Sequence, residues 1–288
     1  MESEAGQVAP IERMAAQEPP ETYWDAHCHL SDPRLDSSRE AVIRRARDCG
    51  ITRFVQGGVG PEDWQRQLRL LERYPEQILP VFGLHPWWIS ENGEASSKNA
   101  LRDLAGLLNR AVAIGELGLD FSPRFPIALR ELQQHFFREQ LEIAGHHQLP
   151  LVLHVVSAHT EALELLTKSP PLHGGLIHAF TGSLQTARKY LELGFTLSIG
   201  GRITHPGSKS EALRKMIQEL PLDRMVIESD APDQSSLGFQ GRLNEPVSII
   251  EIAGVVARLK SATTPTILRQ SKLNLSNLFG ARQIKAQS

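Results

Sequence analysis

Two histidines stand two residues apart in the stretch Asp25-Ala26-His27-Cys28-His29-Leu30. Alternate residues of a strand point to the same face. His27 and His29 can therefore grip one ion, while Cys28 points away and reads as a small buried residue behind them. Taken alone, such a pair is equally a hydrogen-bonded decoration of a strand. Further along come His85, Glu116, His154, His178, Glu228 and Asp230, each at the end of a short apolar run. Imidazoles and carboxylates delivered singly from separate segments make a metal-ligand set if the segments converge.

Those segments are TYWDAH, RFVQGGV, ILPVFGLH, AVAIGELG, LPLVLHV, GGLIHAF, FTLSIGG and RMVIESD. Each is mostly apolar rather than alternating, as expected of parallel strands buried on both faces. Helical periodicity lies between them. SSREAVIRRARDCG sets Ala41, Val42 and Ala46 on one side and stops at Gly50. A long segment puts Leu129, Leu132, Phe136, Phe137, Leu141 and Ala144 on one stripe. SLQTARKYLELG and SEALRKMIQELP end at a glycine and a proline, and two helices follow the eighth strand. Strand then helix, eight times in about 250 residues, predicts an α/β fold: a (β/α)8 TIM-type barrel with an additional C-terminal helix. The rival is an open doubly wound sheet, but no Gly-x-Gly-x-x-Gly fingerprint follows the first strand. Chemistry in such a barrel sits at the C-terminal ends of the strands. His27, His29, His85, Glu116, His154, His178, Glu228 and Asp230 all fall there, which favours a metal site over a strand decoration.

Composition sets the bounds. The 288 residues suit residues 21–288 as one domain, behind a Glu-, Ala- and Pro-rich tail over 1–20 that is expected to be disordered and lacks the pattern of a signal peptide. Lys plus Arg number 31 against 33 Asp plus Glu, so tight nonspecific binding to long duplexes is not favoured. Two cysteines make no disulfide framework, and a cytoplasmic location is expected. No apolar run is long enough to span a membrane.

The motifs DAHCHL, GLHP, IGELGLD, LPLVLH, IHAFTGS and IESDAP, followed by NEP and NLSNLFG, resemble in order those of the TatD-type metal-dependent hydrolases, a group of amidohydrolase-like metal barrels. The resemblance covers roughly residues 22 to 280. It implies that His27, His29, Glu116 and Asp230 hold one ion, that Glu116, His154 and His178 hold a second, and that the Glu116 carboxylate bridges them. It also implies metal-dependent deoxyribonuclease activity. Two adjacent cations repel, so an anion between them is required. AVAIGELGLD contains no lysine that could be carboxylated for that purpose, which leaves Glu116. The expected cofactors are two divalent ions (Zn, Mn or Mg), and the four imidazoles favour the transition metals. One departure stands out: Val156 occupies the position of an arginine usual in the family, which leaves room for another substrate.

Water between two such ions loses a proton more readily, and attack by that metal-bound hydroxide is the expected chemistry. Asp230 is the candidate base. His85 is expected to donate to a substrate phosphate or the leaving group, and Glu228 to hydrogen-bond a ligand histidine. Asp120 either orients a ligand or caps the following turn. Arg202 and Arg242, and less so Arg124, are candidates for phosphate contacts. Of Trp87 and Trp88, one is expected to stack on a base and the other to pack into its loop. His135, His146, His147, His159, His173 and His205 read as surface or capping residues. The expected partners are DNA ends or a small phosphoester, with no membrane and no protein partner. The alternative is a small-molecule amide, lactone or ester hydrolase on the same metal pair.

Overall fold

Among the described residues the apolar runs form nine parallel strands: β1 Tyr23–Cys28, β2 Ile51–Gln56, β3 Ile78–Leu79, β4 Val81–Phe82, β5 Ala113–Asp120, β6 Leu151–Val156, β7 Gly175–Ile177, β8 Phe195–Ile199 and β9 Met225–Ile227. This computed structural model describes residues 21–283, with side chains to residue 280; the expected tail over 1–20 lies outside the described residues. One more strand is present than expected because the third run is split at Pro80. Proline has no N–H to give to a ladder, so β3 pairs with β2 and β4 pairs with β5. The two halves fill one position of the barrel, and Pro80 O still accepts from Val112 N at 2.9 Å. The ladder runs β1-β2-β3 and β4 through β9. Its ends are tied where His29 N donates to Ala231 O at 2.7 Å and Asp230 N donates to His27 O at 2.9 Å. The sheet thus closes into a (β/α)8 barrel.

Around it lie α1 Arg39–Asp48, α2 Pro61–Arg73, α3 Pro86–Ala105, α4 Arg130–His147, α5 His159–Lys168, α6 Leu184–Glu192, α7 Ser208–Glu219, α8 Ile249–Leu259 and α9 Thr264–Gln283. Helix α1 buries Val42, Ile43 and Ala46, one position rotated from the expected stripe, because Ala41 is only half-buried. Its end is set by Gly50, whose φ of +81° closes the last turn. Helix α4 buries Phe136, Phe137, Leu141 and Ala144 as expected, but Leu129 and Leu132 are half-buried. Gln133 and Gln140 take core positions instead. Gln133 Oε1 accepts from Asp120 N at 2.8 Å, and Gln140 Oε1 accepts from Leu84 N at 2.7 Å. Buried amides are stable where both ends are satisfied, and here they clamp the strand ends that precede Phe121 and His85.

The barrel interior is filled by Val55, Val81, Val152, Leu176 and Val226, with Leu275 and Phe279 of α9 packed into the same cluster. The extra C-terminal helix therefore plugs the barrel beneath its apolar layer. The polar residues occupy the opposite end. Two strands are irregular in register: β1 between Asp25 and Cys28, and β5 between Gly115 and Leu117. A bulge re-aims the side chains around it. In β1 it lets Ala26 join the interior cluster while His27 also turns inward, and in β5 it turns Glu116 to the axis. Among the described residues no helix is long and apolar enough to cross a membrane.

Candidate metal centre

Glu116, 2% exposed, is the hub. Its Oε2 lies 3.2 Å from His27 Nε2 and 3.4 Å from His29 Nε2. Its Oε1 lies 2.9 Å from His154 Nδ1, 3.3 Å from His85 Nε2 and 3.6 Å from His178 Nε2. Asp230 Oδ1 is 3.4 Å from His29 Nε2 and 3.7 Å from His27 Nε2. The Nε2 atoms of His27 and His29 face each other at 3.3 Å.

These spacings test whether a cation fits. Two ligand atoms each about 2.1 Å from one ion, and about 90–110° apart, stand roughly 3.0–3.4 Å from each other. The contacts among His27, His29, Glu116 Oε2 and Asp230 Oδ1 match that edge length or slightly exceed it. Glu116 Oε2 is buried and has no hydrogen-bond partner. An orphaned buried carboxylate oxygen is costly unless a cation satisfies it. The residues therefore fit a divalent ion.

Proton placement sorts the other histidines. His154 turns Nε2 to Asp120 Oδ2 at 3.3 Å, and Asp120 is held well below the usual carboxylate range, where contacts from His154, Ser122 and Trp87 outweigh its burial. A proton on Nε2 leaves the Nδ1 lone pair facing Glu116. His178 sets Nδ1 3.0 Å from Glu228 Oε1, a close contact whose alignment falls short of a hydrogen bond, and turns Nε2 inward. His85 is arranged the opposite way. It caps α3, and its Nδ1 accepts from Trp87 N at 3.0 Å. The proton of the neutral ring then sits on Nε2, the atom that faces the centre. Burial pushes His85 down to about 4, so the neutral form prevails. A ring fixed in this tautomer donates a hydrogen bond and has no lone pair for an ion. Distance alone would group His85 with Glu116 and His154, since their ligand atoms lie within 4.8 Å of one another; His27, Glu116 and His178 form a second such group, and His27, His29 and Asp230 a third. His154 and His178 approach the same Glu116 oxygen from rings 5.9 Å apart.

The metal-free centre holds protons. Burial alone would lower His29 and His178, but Asp230 and Glu116 raise His29 to about 9, and Glu228, Asp230 and Glu116 raise His178 to about 10. These rings favour folding below about 6.5, their unfolded value, and that contribution is lost as the pH rises towards 9 and 10. Any ion must displace those protons. Metal retention is therefore expected to strengthen with rising pH. A chelator should strip the protein more completely at pH 6 than at pH 8, measured as metal per chain after dialysis; equal stripping would contradict the protonated state.

The sequence left several supporting residues unassigned. Gly57 follows β2, and a Cβ there would meet the His29 ring and stand 2.7 Å from His27 Cε1 and 2.8 Å from Glu116 Oε2. The Gly-Gly pair in RFVQGGV was the available signal. Gly57→Ala is expected to remove metal binding while the chain still folds, read as metal content beside a retained circular-dichroism spectrum. Asp25 is fully buried, and burial raises it to about 8. Its carboxyl accepts from Ser229 N at 2.9 Å and Ser229 Oγ at 2.5 Å. Asn244 Nδ2 donates to Ser229 O at 2.6 Å. Together they hold the turn in which Asp230 adopts φ +56°, an uncommon conformation that needs such support. Gln234 Nε2 donates to Asp230 Oδ2 at 2.7 Å.

The remaining candidates separate into near and far. Glu228 is fully buried, with Oε1 accepting from Ala179 N at 2.8 Å as well as facing His178. Asp120 faces His154 through Oδ2 and caps the following turn, where its Oδ1 accepts from Ser122 N at 2.8 Å. Trp88 packs on the core, while Trp87 remains at the mouth. Cys28 lies in the outer core layer, away from the candidate metal ligands. Arg202 is exposed on a turn after β8. Arg242 folds onto its own loop, its guanidinium 4.2 Å from the Phe239 ring and donating to Gly238 O at 3.1 Å. Among the described residues no hydrogen bond or ion pair joins either arginine to the cluster. Two of the histidines expected as surface or capping residues are also tied in: His159 packs on Phe180 and Tyr190, and His205, which caps the turn after β8, has Nε2 2.8 Å from Ser235 O. Buried aromatic neighbours in one case and a loop carbonyl in the other account for the difference.

A closed parallel barrel with histidines and carboxylates gathered at the C-terminal ends of its strands defines a metal-dependent hydrolase of the amidohydrolase-like kind. Comparison with known proteins makes the class specific: the TatD related DNase family matches residues 24–280, and the chain belongs to it. It is 31% identical over 260 residues to the metal-dependent hydrolase YjjV of Escherichia coli, covering 89% of this chain and 97% of that one. The crystal structure of YjjV superposes with a TM-score of 0.81 over 90% of this chain and 98% of that chain, at 32% identity. The 3′-5′ ssDNA/RNA exonuclease TatD of Erwinia billingiae is 32% identical over 262 residues, 89% of this chain and 98% of that one. The human deoxyribonuclease TATDN3 is 30% identical over 265 residues, 88% of this chain and 93% of that one. The protein is a hydrolytic enzyme of this family.

Proposed function

We propose that the protein is a metal-dependent deoxyribonuclease that cleaves phosphodiester bonds at short or single-stranded DNA ends. The observation that carries this is the arrangement around Glu116: a ligand set for divalent ions with one histidine, His85, held as a hydrogen-bond donor beside it. His27, His29, Glu116 and Asp230 would hold one ion, and Glu116, His154 and His178 a second. The donor set suits zinc or manganese better than magnesium. Ions bound there supply Lewis-acid polarisation of a phosphoryl oxygen and a lowered pKa for water.

The chain's own groups do the rest. Asp230 accepts the hydrogen bond, and then the proton, of the attacking water. His85 donates from Nε2 to the phosphoryl oxygen or the leaving oxygen. Asp120 fixes the tautomer of His154, and the Glu228 carboxylate 3.0 Å from His178 Nδ1 favours a proton there by its charge, which makes both positioning residues. Arg202 and Arg242, exposed on the loops after β8 and β9, are proposed as outer contacts to phosphates further along the strand. Two nuclease relatives support this substrate class. The two free cysteines, Cys28 buried and Cys49 exposed, fit a cytoplasmic setting.

The test is release of labelled nucleotides from single-stranded DNA ends by protein loaded in turn with zinc, manganese and magnesium. Cleavage abolished by chelator is expected; no cleavage with any of the three overturns the reading. One observation favours a second reading, hydrolysis of a small ester, lactone or amide. Val156 leaves a 37% exposed apolar side chain where the family motif carries an arginine. A panel of such substrates run beside the DNA assay decides between the two.

A further inference from the structure

Exposed large apolar side chains mark interaction surfaces when they cluster. Three of them, Trp87, Ile127 and Val156, lie on the segments that follow β4 and β5 and at the end of β6, along one arc of the catalytic mouth. Trp87 is 36% exposed. Its indole Nε1 donates to Asp120 Oδ2 at 2.5 Å, the same oxygen that faces His154 Nε2. Its ring centroid is 4.7 Å from that of His85 and 5.7 Å from that of His154. Arg124 lies over the indole at 4.2 Å and is tied down by Glu91 at 2.9 Å. Val156 shares the His154 face of β6, two residues further out. Asp120 and Val156 are paired in the ladder, so Trp87 and Val156 flank the same ligand histidine.

The indole is thus fixed at its N–H, backed by a guanidinium and set beside the two rings at the centre. We infer that Trp87, Arg124 and Val156 form a stacking subsite for the base of the nucleotide bound at the metal centre. This deepens the phosphodiesterase reading and rests on it. A π-face recognises any base, so the subsite holds a terminal nucleotide without reading sequence. Val156 serves it by offering an apolar edge where an arginine would add charge and bulk. The subsite also explains how a chain of balanced charge can retain a short single strand: stacking takes over part of what a basic groove does elsewhere.

The test uses metal-loaded enzyme and pairs of single-stranded oligonucleotides whose terminal nucleotide, 3′ in one pair and 5′ in another, carries or lacks its base. At the end the enzyme uses, kcat/KM for the base-carrying substrate is expected to exceed that for the abasic one by roughly 5- to 150-fold, the effect of one base–aromatic stack. Trp87→Ala and Arg124→Gln should each lower that ratio, mainly through KM of the base-carrying substrate. Trp87→Phe, which keeps a ring but not the N–H to Asp120, should preserve most of it. A wild-type ratio near one overturns the inference, as does a ratio unchanged in Trp87→Ala. A Trp87→Ala protein slowed equally on both substrates would show that Trp87 acts only through Asp120 and His154, and would overturn it too. Absence of cleavage with either substrate sinks the phosphodiesterase reading itself, a distinguishable failure.

Discussion

Glu116→Gln is expected to empty the centre and cut turnover by at least about 100-fold, the upper end of what loss of an outer partner costs a metal site. The carboxylate has one oxygen towards His27 and His29 and the other towards His154, His178 and His85. The side chain is deeply buried, yet the surrounding His27, His85, His178 and His154 outweigh that burial and hold it well below the usual carboxylate range. Glutamine keeps the shape but removes the negative charge and turns an N–H₂ group towards one set of imidazole lone pairs. Two cations would then face each other with no anion between them. Metal analysis of the purified variant, beside a control spectrum for folding, is the direct measurement. A variant that keeps both its metal and its rate would remove Glu116 from the centre.

Asp230→Asn should separate chemistry from binding. Asparagine tolerates the left-handed φ of +56° that Asp230 adopts, so the turn held by Asp25, Ser229 and Asn244 survives. The amide oxygen can still meet an ion, but it cannot take a proton from water. A fall in kcat of about 10²–10⁴, with KM little changed, is expected of a lost general base. Asp230 is buried, but His178, His29 and His27 hold it down to about 2. A carboxylate this acidic is ionised throughout the working range and keeps a proton only briefly. Its contribution therefore lies as much in orienting the water as in accepting its proton, which places the expected loss towards the lower end. Turnover near wild type at full metal loading would take this role from Asp230.

Much of this was legible in residue order. Strand-length apolar runs alternating with helical stripes specify a parallel sheet covered on both faces, and eight such units without a Gly-x-Gly-x-x-Gly fingerprint favour the barrel over an open doubly wound sheet. The chemistry followed from position: each ligand candidate closes such a run, and a closed barrel brings strand ends together without further information. Side-chain period placed His27 and His29 on one face and Cys28 on the other. The family was legible from the order of eight short motifs.

Other features depended on contacts between residues distant in sequence. Pro80 splitting the third strand was readable in principle, but nothing local shows that its two halves still share one barrel position. The bulges in β1 and β5 defeat simple alternation: they let Ala26 and His27 both face inward and turn Glu116 to the axis. Gly57 is required by rings contributed from β1 and a carboxylate from β5, so its necessity cannot be seen in β2. Proton placement on His85 and His154 is set by Trp87 N and Asp120, and the charge of Glu228 faces His178; only the folded arrangement pairs them. The sequence by itself determined which residues reach the centre, because strand ends and period are local properties. The tertiary structure decided which of them offer a lone pair, which offers a proton and where a Cβ would crowd them, because those depend on neighbours brought together only when the barrel closes.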